Sequence, residues 1–204
     1  MAFFDEARIT VISGKGGNGC SSFRREKYIP KGGPDGGDGG KGGDVVATHD
    51  RNLNSLINLK GKRVFSAKSG KAGSGKNMKG ESGENLLIPL PNGTLIYADK
   101  TGELIGEITD TNEKIVLAKG GKGGLGNARF KSSTNQSPRK FTEGEEADER
   151  DIMLELRLIA DVGLLGLPNA GKSTLINNIT NSKSKIGSYA FTTLEPELGV
   201  MENN

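Results

Sequence analysis

Apolar and polar residues alternate over residues 7–13, with Ile9 and Val11 on one face, which predicts a β-strand. Val45, Val46 and Ala47 read as a short strand, and residues 53–59 fit either a helical turn or a strand. Four apolar runs follow at 86–90, 94–98, 104–108 and 114–118. Turns separate them at Pro91-Asn92-Gly93, at Asp99-Lys100-Thr101-Gly102 and at 109–113, so this stretch predicts a meander forming an antiparallel sheet or barrel. Ile152, Leu154, Leu156 and Leu158 alternate with Met153, Glu155, Arg157 and Ile159 as one more strand. A buried-type strand over 161–165 comes next, and from Ser173 the pattern turns helical, with Leu175 and Ile179 four residues apart. A domain boundary is therefore expected near 158, with one domain over 1–158 and another beginning at 159.

What lies between the strands is unusual. Glycine accounts for 32 of 204 residues, only 10 residues are aromatic and none is Trp, so backbone packing must replace large side chains over much of the chain. From Gly36 to Asp44 the repeat is Gly-Gly-x, with related islands at 68–83 and 119–126. A polyproline II helix has three residues per turn and no internal hydrogen bonds, so this period lines the glycines up in two bare rows. Bare rows let neighbouring segments approach and bond backbone to backbone. A flexible linker is the competing reading of the same composition. The in-phase charged residues at every third position favour packed segments.

Charge is segregated behind a small net value of +3. Residues 60–79 carry seven basic residues and no acid, residues 119–140 carry six and no acid, and acids cluster over 143–155. Such runs favour a polyanionic partner, the alternative being lysines that merely keep a surface soluble. Lys68, Lys71, Lys76, Lys79, Lys119, Lys122, Arg129 and Lys131 are the contact candidates. The lone Cys20 excludes an internal disulfide framework. No apolar run approaches a membrane span and the start lacks a signal-peptide layout, so a soluble cytoplasmic protein is expected.

One stretch has a mechanism written into it. Gly166-Leu167-Pro168-Asn169-Ala170-Gly171-Lys172-Ser173 matches the phosphate-loop pattern, and the expected order of strand, loop and helix surrounds it. Its backbone N–H groups would cradle phosphates, Lys172 would reach the β/γ-phosphates and Ser173 would ligate Mg²⁺. Twenty residues on, Phe191-Thr192-Thr193-Leu194-Glu195 stands where such GTPases place a switch threonine. No Asp-x-x-Gly follows it, and Asn-Lys-x-Asp is absent. Ser66-Ala67-Lys68 resembles a guanine-loop tripeptide but stands about 100 residues too early. The two dinucleotide-fingerprint matches, 14–19 and 121–126, open no helix and carry little weight in so glycine-rich a chain.

Taken together, Phe23 to Tyr28, the glycine run from Pro30 to Asp44, Lys119 to Asn127, and the phosphate loop with Phe191-Thr192-Thr193 resemble the N-terminal portion of an Obg family GTPase. The resemblance implies a mainly β Obg domain, glycine-rich polyproline II helices on a small β-barrel, followed by the first β-α portion of a P-loop G domain over 159–204. It implies binding of GTP, GDP and guanosine tetraphosphate, slow Mg²⁺-dependent hydrolysis, and a role with the large ribosomal subunit in its assembly and in stress and growth control. By position, 166–173 and 191–195 would hold nucleotide, Ser173 and Thr193 would hold Mg²⁺, and Asn169 stands where some cation-dependent GTPases hold potassium. No residue is assigned a catalytic role. A monomer is expected, with a truncated G domain that is inactive by itself. A nucleotide-independent RNA- or ribosome-binding module is the alternative from another class, and a P-loop kinase or ATPase a more distant one.

Overall fold

The computed structural model describes residues 5–25, 32–61, 63–157, 164–167 and 170–179. The chain divides into two compact units, Asp5–Arg157 and the remainder, which comprises Met1–Phe4 and Leu158–Asn204. In the remainder, the loop residues 164–167, 170 and 171 and a helix α1, Lys172–Ile179, are described; the strand expected over 161–165 lies mostly outside the described residues.

The larger unit is mainly sheet. Its strands are β1 (Glu6–Ile12), β2 (Val45–His49), β3 (Val64–Ser66), β4 (Leu86–Leu90), β5 (Thr94–Ala98), β6 (Leu104–Ile108), β7 (Lys114–Ala118) and β8 (Glu149–Leu156). Alternation places Ala7, Ile9 and Val11 of β1 and Ile152, Leu154 and Leu156 of β8 inward, where they pair in register as Ala7–Leu154 and Ile9–Ile152. The ambiguous 53–59 run contains a 3₁₀ turn, Leu56–Leu59, that buries Leu56 and Leu59.

Strand positions follow the sequence pattern, but their pairing corrects the expected meander. Of the four consecutive runs only β5 and β6 form an antiparallel hairpin. β4 pairs in parallel with β2, and β7 pairs antiparallel with β2. The result is a five-stranded sheet ordered β3-β1-β8-β5-β6 and a three-stranded sheet ordered β4-β2-β7. Both orders are open, so no closed barrel forms among the described residues. Pro89 is tolerated inside β4 because β4 is an edge strand.

The glycine-rich stretches are packed segments, not linkers. Gly14, Gly17 and Cys20 donate their N–H groups to Gly43, Gly40 and Gly37, at 2.8, 2.8 and 3.0 Å. Gly37, Gly40 and Gly43 in turn donate to Ser74, Lys71 and Lys68, each at 2.9 Å. Gly39 and Gly42 donate to Gly124 and Gly121, while Gly80 and Gly83 donate to Asp38 and Lys41. Every ladder advances three residues per bond on both partners. The run 36–44 is thus bonded to four neighbours, as is 14–20, and both have glycine at about two positions in three. Outer segments such as 80–83 touch fewer neighbours and need glycine only once in three.

Close approach is the reason for the composition. A Cβ added at Gly40 would fall on the Glu81 carbonyl, and one at Gly17 on the Lys71 carbonyl, both well inside van der Waals contact. At one end these segments run directly into the strands, as Asp44 does into β2 and Ser13 does out of β1. The opposite end, away from the sheets, is called the far end below.

Candidate functional site

In the phosphate loop, Gly171 takes φ +79, a left-handed conformation that turns the chain into α1. The first bond of the helix is the Leu175 N–H to the Gly171 carbonyl, 2.9 Å. The N–H groups of Lys172, Ser173 and Thr174 therefore precede any intrahelical partner, and they stand at the positive end of the helix dipole. Lys172 folds back across the loop, its Nζ donating to the carbonyls of Gly166 and Leu167, both at 2.8 Å. Its stem lies against Gly166, where a side chain would meet Lys172 Cδ at 3.6 Å. First-turn N–H groups without an acceptor among the described residues, a bridging ammonium and the half-exposed Ser173 fit an anionic phosphate chain with its Mg²⁺. Leu167 and Ala170 belong to this loop, whereas Pro168, Asn169 and all of 191–195, including Thr193, lie outside the described residues.

The two fingerprint-like runs have a structural use. Gly121 and Gly124 donate to Gly14 and Gly17, at 3.0 and 2.8 Å, so 14–19 and 121–126 lie parallel and in register within the bundle. Ala67, in the tripeptide that resembles a guanine loop, is buried and bonds to Ile12.

Folding redistributes the segregated charge. Lys68 meets Glu84 at 2.5 Å, Lys71 meets Glu81 at 2.6 Å, and Lys122 reaches Glu145 at 3.9 Å. Outside the candidate set, Lys15 pairs with Glu146 and Lys41 with Asp44, each at 2.8 Å. Arg129 holds Asp38 at 3.0 Å. Burial raises the Asp38 carboxyl, but the Gly126 N–H, Arg129 and Lys79 outweigh it and keep the group below its ordinary value. Asp44 is likewise raised by burial and lowered further by Lys41, the Gly120 N–H and Lys119. Four of the eight candidates, Lys68, Lys71, Lys122 and Arg129, are thus in ion pairs. Lys76, Lys79, Lys119 and Lys131 form none among the described residues.

The far end is built by two residues that no sequence motif marked. Asn127 is completely buried; its Oδ1 accepts from Gly36 (2.8 Å) and Ser22 (3.4 Å), and its Nδ2 donates to Ser22 and Pro138 (both 3.0 Å). Asp35 accepts from the Ser22 hydroxyl at 2.6 Å and from the Lys76 N–H at 3.0 Å, while its carbonyl accepts from Asn77 at 2.6 Å. Lys76 and Asn77 have φ of 61 and 56, and this clasp holds their turn in that left-handed form. The acids recurring at 81 and 84 opposite lysines at 71 and 68 are the one sequence signal of the pairing above, and it is readable only once the turn at 75–78 is placed.

Comparison with known proteins gives a consistent result. The GTP1/OBG family model matches residues 4–158, and the model described as a 50S ribosome-binding GTPase matches 161–204. A protein called GTPase Obg from Psychrobacter sp. (strain PRwf-1) is 52% identical over 202 residues, which cover 99% of this chain and 50% of that protein. The chain thus spans about half the length of this curated relative. No helix among the described residues is long and apolar enough to cross a membrane.

Proposed function

The chain belongs to the Obg family of GTPases, and from that premise we propose that it carries the ribosome-docking domain and the phosphate-binding loop of a GTP-dependent switch. The observation that carries this reading is the loop itself, a lysine bridging two loop carbonyls beside three helix N–H groups that have no backbone acceptor among the described residues. In the proposal residues 166–173 hold the phosphates of GTP, GDP or guanosine tetraphosphate. Lys172 neutralises β/γ charge, and Ser173 with Thr193 ligates Mg²⁺, which supplies charge neutralisation during slow hydrolysis. Residues 191–195 form the first switch, and Asn169 holds a potassium ion. Residues 1–158 form one domain and 159–204 the opening of the G domain, the family-model ranges and the two compact units supporting that division. The three-residue ladder period supports a polyproline II geometry for the glycine segments.

Docking on the large ribosomal subunit in the cytoplasm, during its assembly and under growth control, is the second half of the proposal. Lys76, Lys79, Lys119 and Lys131, free of ion pairs among the described residues, are its favoured RNA contacts; the protein acts as a monomer. The independent compactness of Asp5–Arg157 also favours a narrower reading, in which these 204 residues bind RNA without nucleotide. The test is GTP affinity in protein extended to the length of its relatives. Lys172→Ala should weaken GTP binding at least about tenfold, since a charge-assisted contact is removed; unchanged affinity would overturn the site.

A further inference from the structure

Strands β2, β4 and β7 break a pattern that the larger sheet obeys. On that sheet the outward positions of β1 and β8 include Arg8, Thr10, Asp151 and Glu155, polar residues behind a buried apolar face. In the three-stranded sheet the runs Val45-Val46-Ala47, Leu86-Leu87-Ile88-Pro89-Leu90 and Ile115-Val116-Leu117-Ala118 are apolar at successive positions. Such runs belong to strands buried on both faces, and β2 and β4 pair in parallel, an arrangement ordinarily covered on both sides. One face does pack inward, through Ala47, Ile88 and Leu90, each at most 1% exposed. The other does not: Leu87 is 57% exposed and Val116 54%.

The register gathers these residues into one surface. Val46 pairs with Leu87 on one side and Val116 on the other, and Thr48 pairs with Pro89 and Lys114. An apolar row thus crosses all three strands, and the next row becomes charged only at Lys114. Asn58 donates to the Pro89 carbonyl at 3.1 Å, which sets the 3₁₀ turn against the β4 edge and brings the half-exposed Ile57 next to it. Three strands spaced about 4.8 Å apart are ~10 Å across, the width of one α-helix, and a five-residue strand of ~17 Å matches about three helical turns.

The charges bordering the face choose among occupants. Asp44, Glu84 and Asp110 are already engaged by Lys41, Lys68 and Arg51. Asp50 accepts from Asn52 within its own turn. Lys60, Lys114 and Lys119 form no ion pair among the described residues, and of the bordering acids only Glu113 likewise forms none. A second copy of the face would bring twice those lysines into one interface. RNA would find no aromatic platform here for its bases, and a bilayer no protruding apolar anchor. An acidic helix answers both the width of the row and the charge of its border.

We propose that the outer face of the β4-β2-β7 sheet is a docking site for an amphipathic α-helix of a partner protein, with an apolar stripe at i, i+3, i+4 and i+7 and carboxylates along its flanks. Leu87, Val46 and Val116 receive the stripe, while Lys114 on the β7 side and Lys60 on the β4 side meet the acidic flanks. This contact does not depend on the RNA contacts proposed above.

The test uses protein extended to the length of its relatives, carrying the photo-crosslinking residue p-benzoylphenylalanine in place of Val116 or, as control, in place of Arg8 on the larger sheet. After irradiation in cells the joined peptide is sequenced by mass spectrometry. The expected adduct is a segment of another protein with that apolar stripe and acidic flanks, joined from position 116 and not from position 8. A synthetic peptide of that sequence should then bind the 204-residue chain, and Leu87→Ser with Val116→Ser should weaken it by about tenfold or more. Both positions are more than half exposed, so this variant should keep the parent's circular dichroism. Lys114→Glu, which disturbs no packing, should weaken binding about threefold, and changing one acid of the peptide to lysine should restore it. An adduct with a second copy, with another part of the same chain, with RNA or with lipid overturns the proposal. So do the absence of any adduct at 116 and a peptide affinity indifferent to Leu87, Val116 and Lys114.

Discussion

Replacing Gly40 by alanine is the sharpest trial of how the glycine bundle is held. The new methyl would lie 2.5 Å from the Glu81 carbonyl carbon and 2.8 Å from the Gly80 oxygen, and closer still to the Glu81 oxygen, where ordinary contact begins at 3.4 Å. The obstacle is backbone on both sides, so the 36–44 and 80–83 segments must part by about 1 Å or more. Three bonds tie this level together: Gly40 to Lys71 at 2.9 Å, and Gly80 to Asp38 and Gly83 to Lys41, each at 2.8 Å. Stretched by that amount they leave the hydrogen-bonding range. Each loss costs about 1 kcal/mol net, and more where the freed group stays buried, for a total of roughly 3–5 kcal/mol. Alanine recovers at most about 1 kcal/mol through a stiffer unfolded chain. Gly33→Ala is the matched control, since among the described residues a Cβ there meets nothing nearer than the flexible Lys131 ammonium at 3.9 Å; it should be neutral or slightly stabilising. Urea unfolding followed by circular dichroism measures both, the chain having no Trp. If Gly40→Ala stays within about 1 kcal/mol of the parent, with an unchanged urea slope, close backbone approach is not what holds the bundle.

Other outcomes follow from single contacts. Asn127→Asp places a carboxylate against the Ser22 and Pro138 carbonyls and should cost about 2–4 kcal/mol, with faster hydrogen exchange confined first to the far end. Asp38 and Asp44 are both held below their ordinary pKa, so the stability they add is complete above about pH 4 and drains away as pH falls through their folded values. The Asp38→Asn, Asp44→Asn double variant should therefore lose stability at neutral pH and show a flatter acid limb in thermal melts. Asp44 and Asp38 accept from the Gly120 and Gly126 N–H groups at 2.7 and 2.9 Å, but the intervening position is Lys41, which cannot accept. Lys41→Asn should supply Gly123 with the missing acceptor, and a melting temperature below the parent's would show that the Lys41–Asp44 pair matters more. Gly93, at φ +77 and with its Cβ position 2.9 Å from the Arg157 carbonyl, should cost about 1–2 kcal/mol as alanine.

Local chemistry in this chain was legible and pairing was not. Alternation located 86–90, 94–98, 104–108 and 114–118 because a strand's two faces differ whatever it pairs with. It could not tell that Pro91-Asn92-Gly93 joins strands of different sheets, since β4's partner β2 is reached through the glycine segments. The three-residue period favoured packing of the islands, yet the choice of four neighbours for 36–44 rests on carbonyls of 68–74 and 121–124 and on N–H groups of 14–20 and 80–83. The basic run 60–79 favoured a polyanionic partner. Its lysines at 68 and 71 are instead matched across the turn at 75–78 by Glu84 and Glu81, a register visible only once that turn is placed. The phosphate loop was readable because its motif carries its own geometry, from the Gly171 turn to the Lys172 reach.

The glycine ladders also set a limit on mutation. A glycine codon can reach by single-base change only residues larger than glycine, and at the enclosed positions of 14–20 and 36–44 even a methyl group meets backbone. Change in these segments is therefore confined to the third row, where Lys15, Asn18, Asp38, Lys41 and Asp44 stand, and of these Asp38 and Asp44 are themselves tied to the Gly126 and Gly120 N–H groups. The scaffold and its exterior are written on separate letters of a three-letter repeat. Side chains in that row can be exchanged without a Cβ entering the bundle, whose spacing the glycines fix.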